Sequence, residues 1–138
     1  MNRLARIIFG VSLCVVLRVF GTTYYVAPSA ADGGTGNDSN DGLSAGAPKT
    51  IGLFYSIATN HTVIALDGTY NTNVIVRTSH TTFLSSNKWG AKIIGNSAVA
   101  SPGISVWPPP IQFVTIDGFK VDGAGTKGIE IYGSNVTV

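Results

Sequence analysis

The sequence predicts an all-β chain wound as a parallel β-helix (a solenoid), with one helix capping its start and its last coil incomplete. Three observations carry this reading. Val114-Thr115-Ile116 returns near the end of the chain as Val136-Thr137-Val138, and Ile94-Gly95-Asn96 precedes Ile116-Asp117-Gly118 by the same interval. Short apolar strands recurring at one spacing mark coils that stack on one another. Between Val63 and Val138 the apolar runs are short, are punctuated by Gly, Asn or Ser, and have no helical stretch between them. A β-sandwich or barrel is the alternative, but its hairpins want longer strands and tight two-residue turns.

Each element follows from local chemistry. Arg3 and Arg6 precede an apolar run from Ile7 to Leu17, and Val19-Phe20-Gly21 offers a cleavage point. Residues 1–21 therefore read as a signal peptide, too short to span a bilayer, which needs about 20 apolar residues. Its loss removes Cys14, the one cysteine, and three of the nine basic residues, leaving six against seven acids. With no basic stripe left, nucleic acid is not an expected partner, and neither is a membrane after cleavage. The expected location is outside the cell, by bacterial export.

Residues 22–62 read as an N-terminal cap. Thr22 to Ala27 alternates β-branched and aromatic residues as a strand does, and Pro28 ends it. Ser29 to Pro48 is a loop of Gly, Asn, Asp and Ser. Thr50 suits an N-cap, and Ile51, Phe54, Tyr55 and Ala58 form one apolar stripe, which predicts a helix to about Asn60. Such a helix would cover the open end of a β-stack.

Residues 63–138 read as the first coils. Strands are expected at Val63–Leu66, Val74–Arg77, Thr82–Leu84, Lys92–Ile94, Ile104–Trp107, Phe113–Ile116, Phe119–Val121, Ile129–Tyr132 and Asn135–Val138. Asp67-Gly68 reads as a turn. Gly68, Gly118 and Gly133 are expected to supply positive φ at corners, and Asn96 and Asn135 to join an inward amide ladder. Pro108-Pro109-Pro110 stiffens a loop between coils.

The segments YYVAPS, NDSNDGLSAGAPKTI and VIALDGTYN, followed by KWGAKIIGN and FVTIDGFKVDGAGTKGIEIYGSNVTV, resemble the start of secreted right-handed parallel β-helix proteins of the pectate lyase-like superfamily. The resemblance runs from Thr23 to Val138. It departs from the pattern at Asn60-His61-Thr62, where such proteins often carry Pro-Gly-Asp. It implies a right-handed coil and a protein that binds or cleaves acidic polysaccharide. The alternatives are a non-catalytic surface or adhesion protein on the same scaffold, and a fragment without function. Further coils are expected beyond Val138, and an uncapped last coil is expected to self-associate.

Candidate site residues are few. In related lyases carboxylates hold calcium against a uronate while a Lys or Arg removes the proton alpha to it. The resemblance makes Lys120, Asp122 and Glu130 the catalytic candidates, with solvated coil surface as the plain alternative. A lysine acting as base needs burial or a nearby positive charge. Trp89 and Tyr132 are candidates for stacking on sugar rings; Trp107 could join that platform, but core packing is the favoured reading for it. Asp38 and Asp41, within Asn37-Asp38-Ser39-Asn40-Asp41-Gly42, are the calcium candidates. The same residues also suit a tight loop in which Asn, Asp and Ser bond their own backbone. His61 and His80 lack the acidic or cysteine partners of a zinc site.

Overall fold

The computed structural model describes residues 21–52, 59–95, 101–122 and 127–138. Apart from Gly21, the expected signal peptide lies outside the described residues. So does the body of the expected capping helix, residues 53–58; at its margins Ile51 and Gly52 have 3-10 backbone, and Asn60 has a left-handed φ of 64°. Among the described residues there is no α-helix, and no helix long and apolar enough to cross a membrane. A 3-10 turn at Ala30–Asp32 interrupts the loop expected there.

Among the described residues there are eleven short strands. They are β1 (Thr23–Val26), β2 (Thr62–Ala65), β3 (Gly68–Tyr70), β4 (Val74–Val76), β5 (Thr82–Ser85), β6 (Ala91–Ile94), β7 (Ile104–Val106), β8 (Gln112–Asp117), β9 (Lys120–Asp122), β10 (Ile129–Ile131) and β11 (Ser134–Thr137). The strand missed in the sequence is β3: Gly68-Thr69-Tyr70 looks like a turn, yet it pairs with Ala91, Lys92 and Ile93.

Every strand pairing is parallel. The first sheet runs β1-β2-β5-β8-β11, the second β3-β6-β9 and the third β4-β7-β10. From β2 onward the chain visits first, second and third sheet in that order, three times, and returns to the first with β11. Parallel neighbours cannot be joined by a tight hairpin. Here the connection between them is the passage through the other two sheets.

The register explains one half of the sequence echo and corrects the other. Val136 pairs with Val114 and Thr137 with Thr115, so this echo is one full circuit. The other is a coincidence of composition: Ile94 lies in the second sheet opposite Asp122, whereas Ile116 lies in the first opposite Phe83. Circuits are unequal. Thr62 pairs with Thr82, Thr82 with Thr115 and Thr115 with Thr137, so the middle circuit is much the longest of the three. With Thr23 opposite Thr62, five threonines form one column on the outer side of the first sheet.

Alternate residues turn inward, because strand side chains have a period of two. Val63, Phe83 and Ile116 stack from the first sheet, Tyr70 and Ile93 from the second, and Val74, Ile104, Val76 and Val106 from the third, all at 2% exposure or less. Phe83 also packs on Phe119, ring centroids 4.0 Å apart. Full burial of side chains this size contributes about 1.5–3 kcal/mol each. Tyr70 is the one large polar group among them; its hydroxyl bonds the Leu66 carbonyl at 2.7 Å and lies 3.1 Å from that of Val26. Burial, and then the charge of Asp67, push its ionisation far above the usual tyrosine range.

The corner entering the first sheet has a fixed geometry. Just before the aligned threonines, at the same offset in each circuit, stand Asn60, His80, Phe113 and Asn135, with φ of 64°, 56°, 55° and 54°. Asn135 is thus an exposed corner residue and not part of an inward ladder; Asn96 lies outside the described residues. Gly68 and Gly118 do have positive φ, 142° and 78°. Gly133 does not need it; a Cβ there would come within 2.6 Å of the Ile111 carbonyl, so close packing is what demands glycine.

From the third sheet to the aligned threonine, the stretches Val74 to Thr82 and Ile129 to Thr137 are equal in length, whereas Ile104 to Thr115 is longer. The Pro108-Pro109-Pro110 run accounts for the difference.

Candidate carbohydrate-binding face

The second sheet turns its outer side to solvent with lysines in line. Lys92 and Lys120 are partners across β6 and β9, and Thr69 on β3 continues the column. Ile93 and Val121 point inward, so both lysines point out, about 4.8 Å apart along the column. Asp122 shares that side of β9, and its Oδ2 lies 3.1 Å from the Lys92 ammonium. Among the described residues Lys120 makes no ion pair. Lys120 and Asp122 thus share a face, as strand alternation predicts.

Trp89 stands beside this face, in the turn from β5 to β6. The Asp67 carboxylate holds that turn, accepting bonds from Ser86 Oγ (3.0 Å) and Asn87 Nδ2 (2.8 Å). A Cβ on Gly90 would overlap Asp67 Oδ1, so a larger residue there would displace the carboxylate from these bonds. The Trp89 amide donates to the Gly118 carbonyl at 2.7 Å, and the residue has a left-handed φ of 66°. Its side chain is 61% exposed, with the Lys88 ammonium 5.3 Å from the ring centroid. A hollow of about 240 Å³ lies against Trp89, Gly118, Phe119 and Ile129. Exposure of Trp89 at a Gly-terminated turn agrees with the sequence.

Glu130 and Tyr132 lie elsewhere, at the third sheet. Glu130 is on β10 and Tyr132 directly follows that strand. The Lys127 ammonium bonds Glu130 Oε1, and the Tyr132 hydroxyl donates to the same oxygen at 2.9 Å. The Lys127 bond, and then the Tyr132 bond, hold the Glu130 carboxyl below its usual range. Bonding to Glu130 raises both Lys127 and Tyr132. The three catalytic candidates are therefore divided, Lys120 and Asp122 on the second sheet and Glu130 on the third.

Trp107 corrects the sequence reading. Hydrophobicity assigns it to the core, but it is 45% exposed and meets the Tyr132 ring edge-on, 4.8 Å between centroids. Ile104 and Val106 fill the inward positions of β7, and Trp107 is carried outward at the head of the proline run.

Asp38 and Asp41 serve their loop. Asp38 Oδ1 accepts from the Thr50 hydroxyl, and its carbonyl accepts from Lys49 Nζ at 2.8 Å. Asp41 Oδ1 accepts the Leu43 amide at 2.9 Å, and Asn37 Oδ1 accepts that of Ser39 at 2.9 Å. These are turns in which the side chain caps the backbone. Calcium wants six to eight oxygens. Among the described residues no three acidic, His or Cys side chains come together.

Lys88 and Lys92 are residues of the candidate face that the sequence reading does not single out. The signal for Lys92 is its place in Ala-Lys-Ile-Ile, the same polar-then-apolar alternation as Lys120-Val121. What the sequence lacks is the register that sets the two side by side. No family model, curated protein or solved structure matches the chain.

Proposed function

We propose that the chain is part of an exported right-handed parallel β-helix of the pectate lyase-like type, and that it binds acidic polysaccharide along the outer side of its second sheet. The handedness rests on the general rule that parallel β-crossover-β connections are right-handed in about 98% of cases. The observation that carries the binding reading is the Lys92–Lys120 column beside exposed Trp89. Successive uronate carboxylates would meet the lysines while one sugar ring stacks on the indole. Aromatic and cationic groups of this kind take charged sugars without a deep pocket, as a long polymer requires.

Binding is favoured over cleavage. Lys120 is exposed, its neighbour Lys92 is paired with Asp122, and Glu130 is on another sheet. Proton abstraction by lysine calls for burial or nearby unpaired positive charge. A surface or adhesion role on the same scaffold accords with this.

The test is calorimetric titration of the full chain with oligogalacturonate and oligoalginate, with ultraviolet absorbance followed for unsaturated product. Saturable binding to one uronate, weakened about tenfold or more by Lys120→Met or Trp89→Ala, with no absorbance rise, is expected. Absence of binding to both, or binding indifferent to both variants, overturns the proposal. Unsaturated product overturns its non-catalytic part.

A further inference from the structure

We infer that a second, separate sugar site lies at the corner after the third sheet, and that it takes an uncharged hexopyranose unit. Three independent features meet there. Val106 pairs with Ile131, so Trp107 and Tyr132, which directly follow β7 and β10, are neighbours in adjacent circuits. Their side chains are 45% and 48% exposed and the rings stand at 77° to one another. The proline run that lengthens this circuit starts directly after Trp107.

The rings form two walls of a groove of about 290 Å³, completed by Ser101, Pro102, Ser105 and Glu130. That volume sits at the small end of ligand sites and suits one sugar ring rather than a long apolar molecule. The C–H face of a pyranose packs on one aromatic wall while its hydroxyls reach Glu130 and Ser105. Glu130 is set up to accept: Lys127 and Tyr132 both occupy Oε1, and among the described residues no donor reaches Oε2.

The same carboxylate sets the selectivity. A uronate would bring a second negative charge against Glu130, and the Lys127 charge that would offset it is already spent on Glu130. Like charges brought together are disfavoured, and a hydroxyl donor is preferred at that point. This groove therefore selects the opposite ligand from the lysine face on the second sheet, and it stands or falls independently of that face.

The experiment uses the full chain with Trp89→Phe, so that Trp107 is the remaining tryptophan. Cellotetraose, mannotetraose, galactotetraose and trigalacturonate are each titrated while indole emission is followed. A saturable change with at least one neutral tetraose is expected, weakened tenfold or more by Tyr132→Ala and, in calorimetry, by Trp107→Ala. Glu130→Gln should narrow the preference for that tetraose over trigalacturonate at least threefold. The far-ultraviolet spectrum of each variant must match the parent; if Trp107→Ala fails this, Tyr132→Phe, which keeps the ring but loses its bond to Glu130, replaces it with an expected loss of about threefold. No response to any neutral tetraose, binding untouched by the aromatic variants, or preference unchanged in Glu130→Gln would each overturn the site.

Discussion

Phe113 and Asn135 occupy the same corner in successive circuits, with φ of 55° and 54°, although one side chain is an aromatic ring and the other an amide. Asn, Asp and His tolerate the left-handed region far better than bulky residues, whose presence there marks a strained position. Asn60, His80 and Asn135 are of the tolerant kind. Phe113 is not, and it is held by stacking on His80 at 4.9 Å between centroids with 23° between planes.

Phe113→Asn is accordingly expected to relieve the backbone and raise stability by about 0.5–1 kcal/mol, since left-handed geometry costs roughly 1–2 kcal/mol for ordinary residues. Phe113→Val, which keeps the cost and loses the stack, should lower it by about 1 kcal/mol or more, in the range of an aromatic pair. Urea unfolding midpoints of the two variants decide between these directions.

A core prediction concerns Phe83, fully buried against Phe119. Phe83→Ala leaves a cavity, for which the cost is about 3–5 kcal/mol. Against the roughly 5–15 kcal/mol that holds a typical domain together, that is a large share. The expected result is a loss of cooperative thermal unfolding or a melting point lower by ten degrees or more in calorimetry.

If the lysine face binds acidic polymer as proposed, that binding should respond to salt. Exposed charges act within a screening length of about 8–10 Å near physiological ionic strength. Affinity for oligogalacturonate is expected to fall several-fold between about 50 and 300 mM sodium chloride, on the order set by that screening. Lys92→Met combined with Lys120→Met should flatten this dependence, and a dependence left unchanged would remove the lysine column from the binding step.

The Lys127–Glu130–Tyr132 group gives a pH prediction with two opposite signs. Glu130 is held below the ordinary carboxylate value of 4.5, so its bonds are complete above that pH and are lost as pH falls through the lowered value. Tyr132 and Lys127 are raised, so their bonds are complete below about pH 10 and are lost only as pH rises through the raised values. Near-ultraviolet circular dichroism from the Trp107–Tyr132 pair should therefore be flat between about pH 5 and pH 10 and change at both ends. In Glu130→Gln the acid-side change should disappear.

Among the described residues β9, β10 and β11 are each paired on one side only. Unpaired edges invite pairing with other chains. The chain is expected to self-associate with rising concentration in sedimentation velocity, and an unchanging monomer coefficient over a hundredfold range would contradict this.

The strands are legible in the sequence because alternation is local: Val63, Ala65, Val74, Val76, Ile104 and Val106 announce their inward positions within one strand each. Gly68-Thr69-Tyr70 escapes that reading because one glycine at φ 142° looks like the end of a strand when it is the start. The site is less legible. The interval from Lys92 to Lys120 differs from that between Trp107 and Tyr132, so no single spacing links both pairs. Their neighbourhood depends on how much chain each corner absorbs, which composition does not record. Trp107 is misplaced for a related reason: its hydrophobicity argues for burial, and only the position just beyond the last inward residue of β7 argues against it.

The unequal circuits have a consequence for how such a molecule can change. Thr62, Thr82, Thr115 and Thr137 stay aligned although the chain between them varies in length from one circuit to the next, because surplus chain is shed at the corners. An insertion there alters one patch of the outer wall and leaves the next layer of the stack undisturbed. The proline run beside Trp107 is one such loop, and the interior beneath it keeps the same packing. Grafting a foreign loop between β7 and β8 is, on this basis, the least disruptive way to give the scaffold a new specificity.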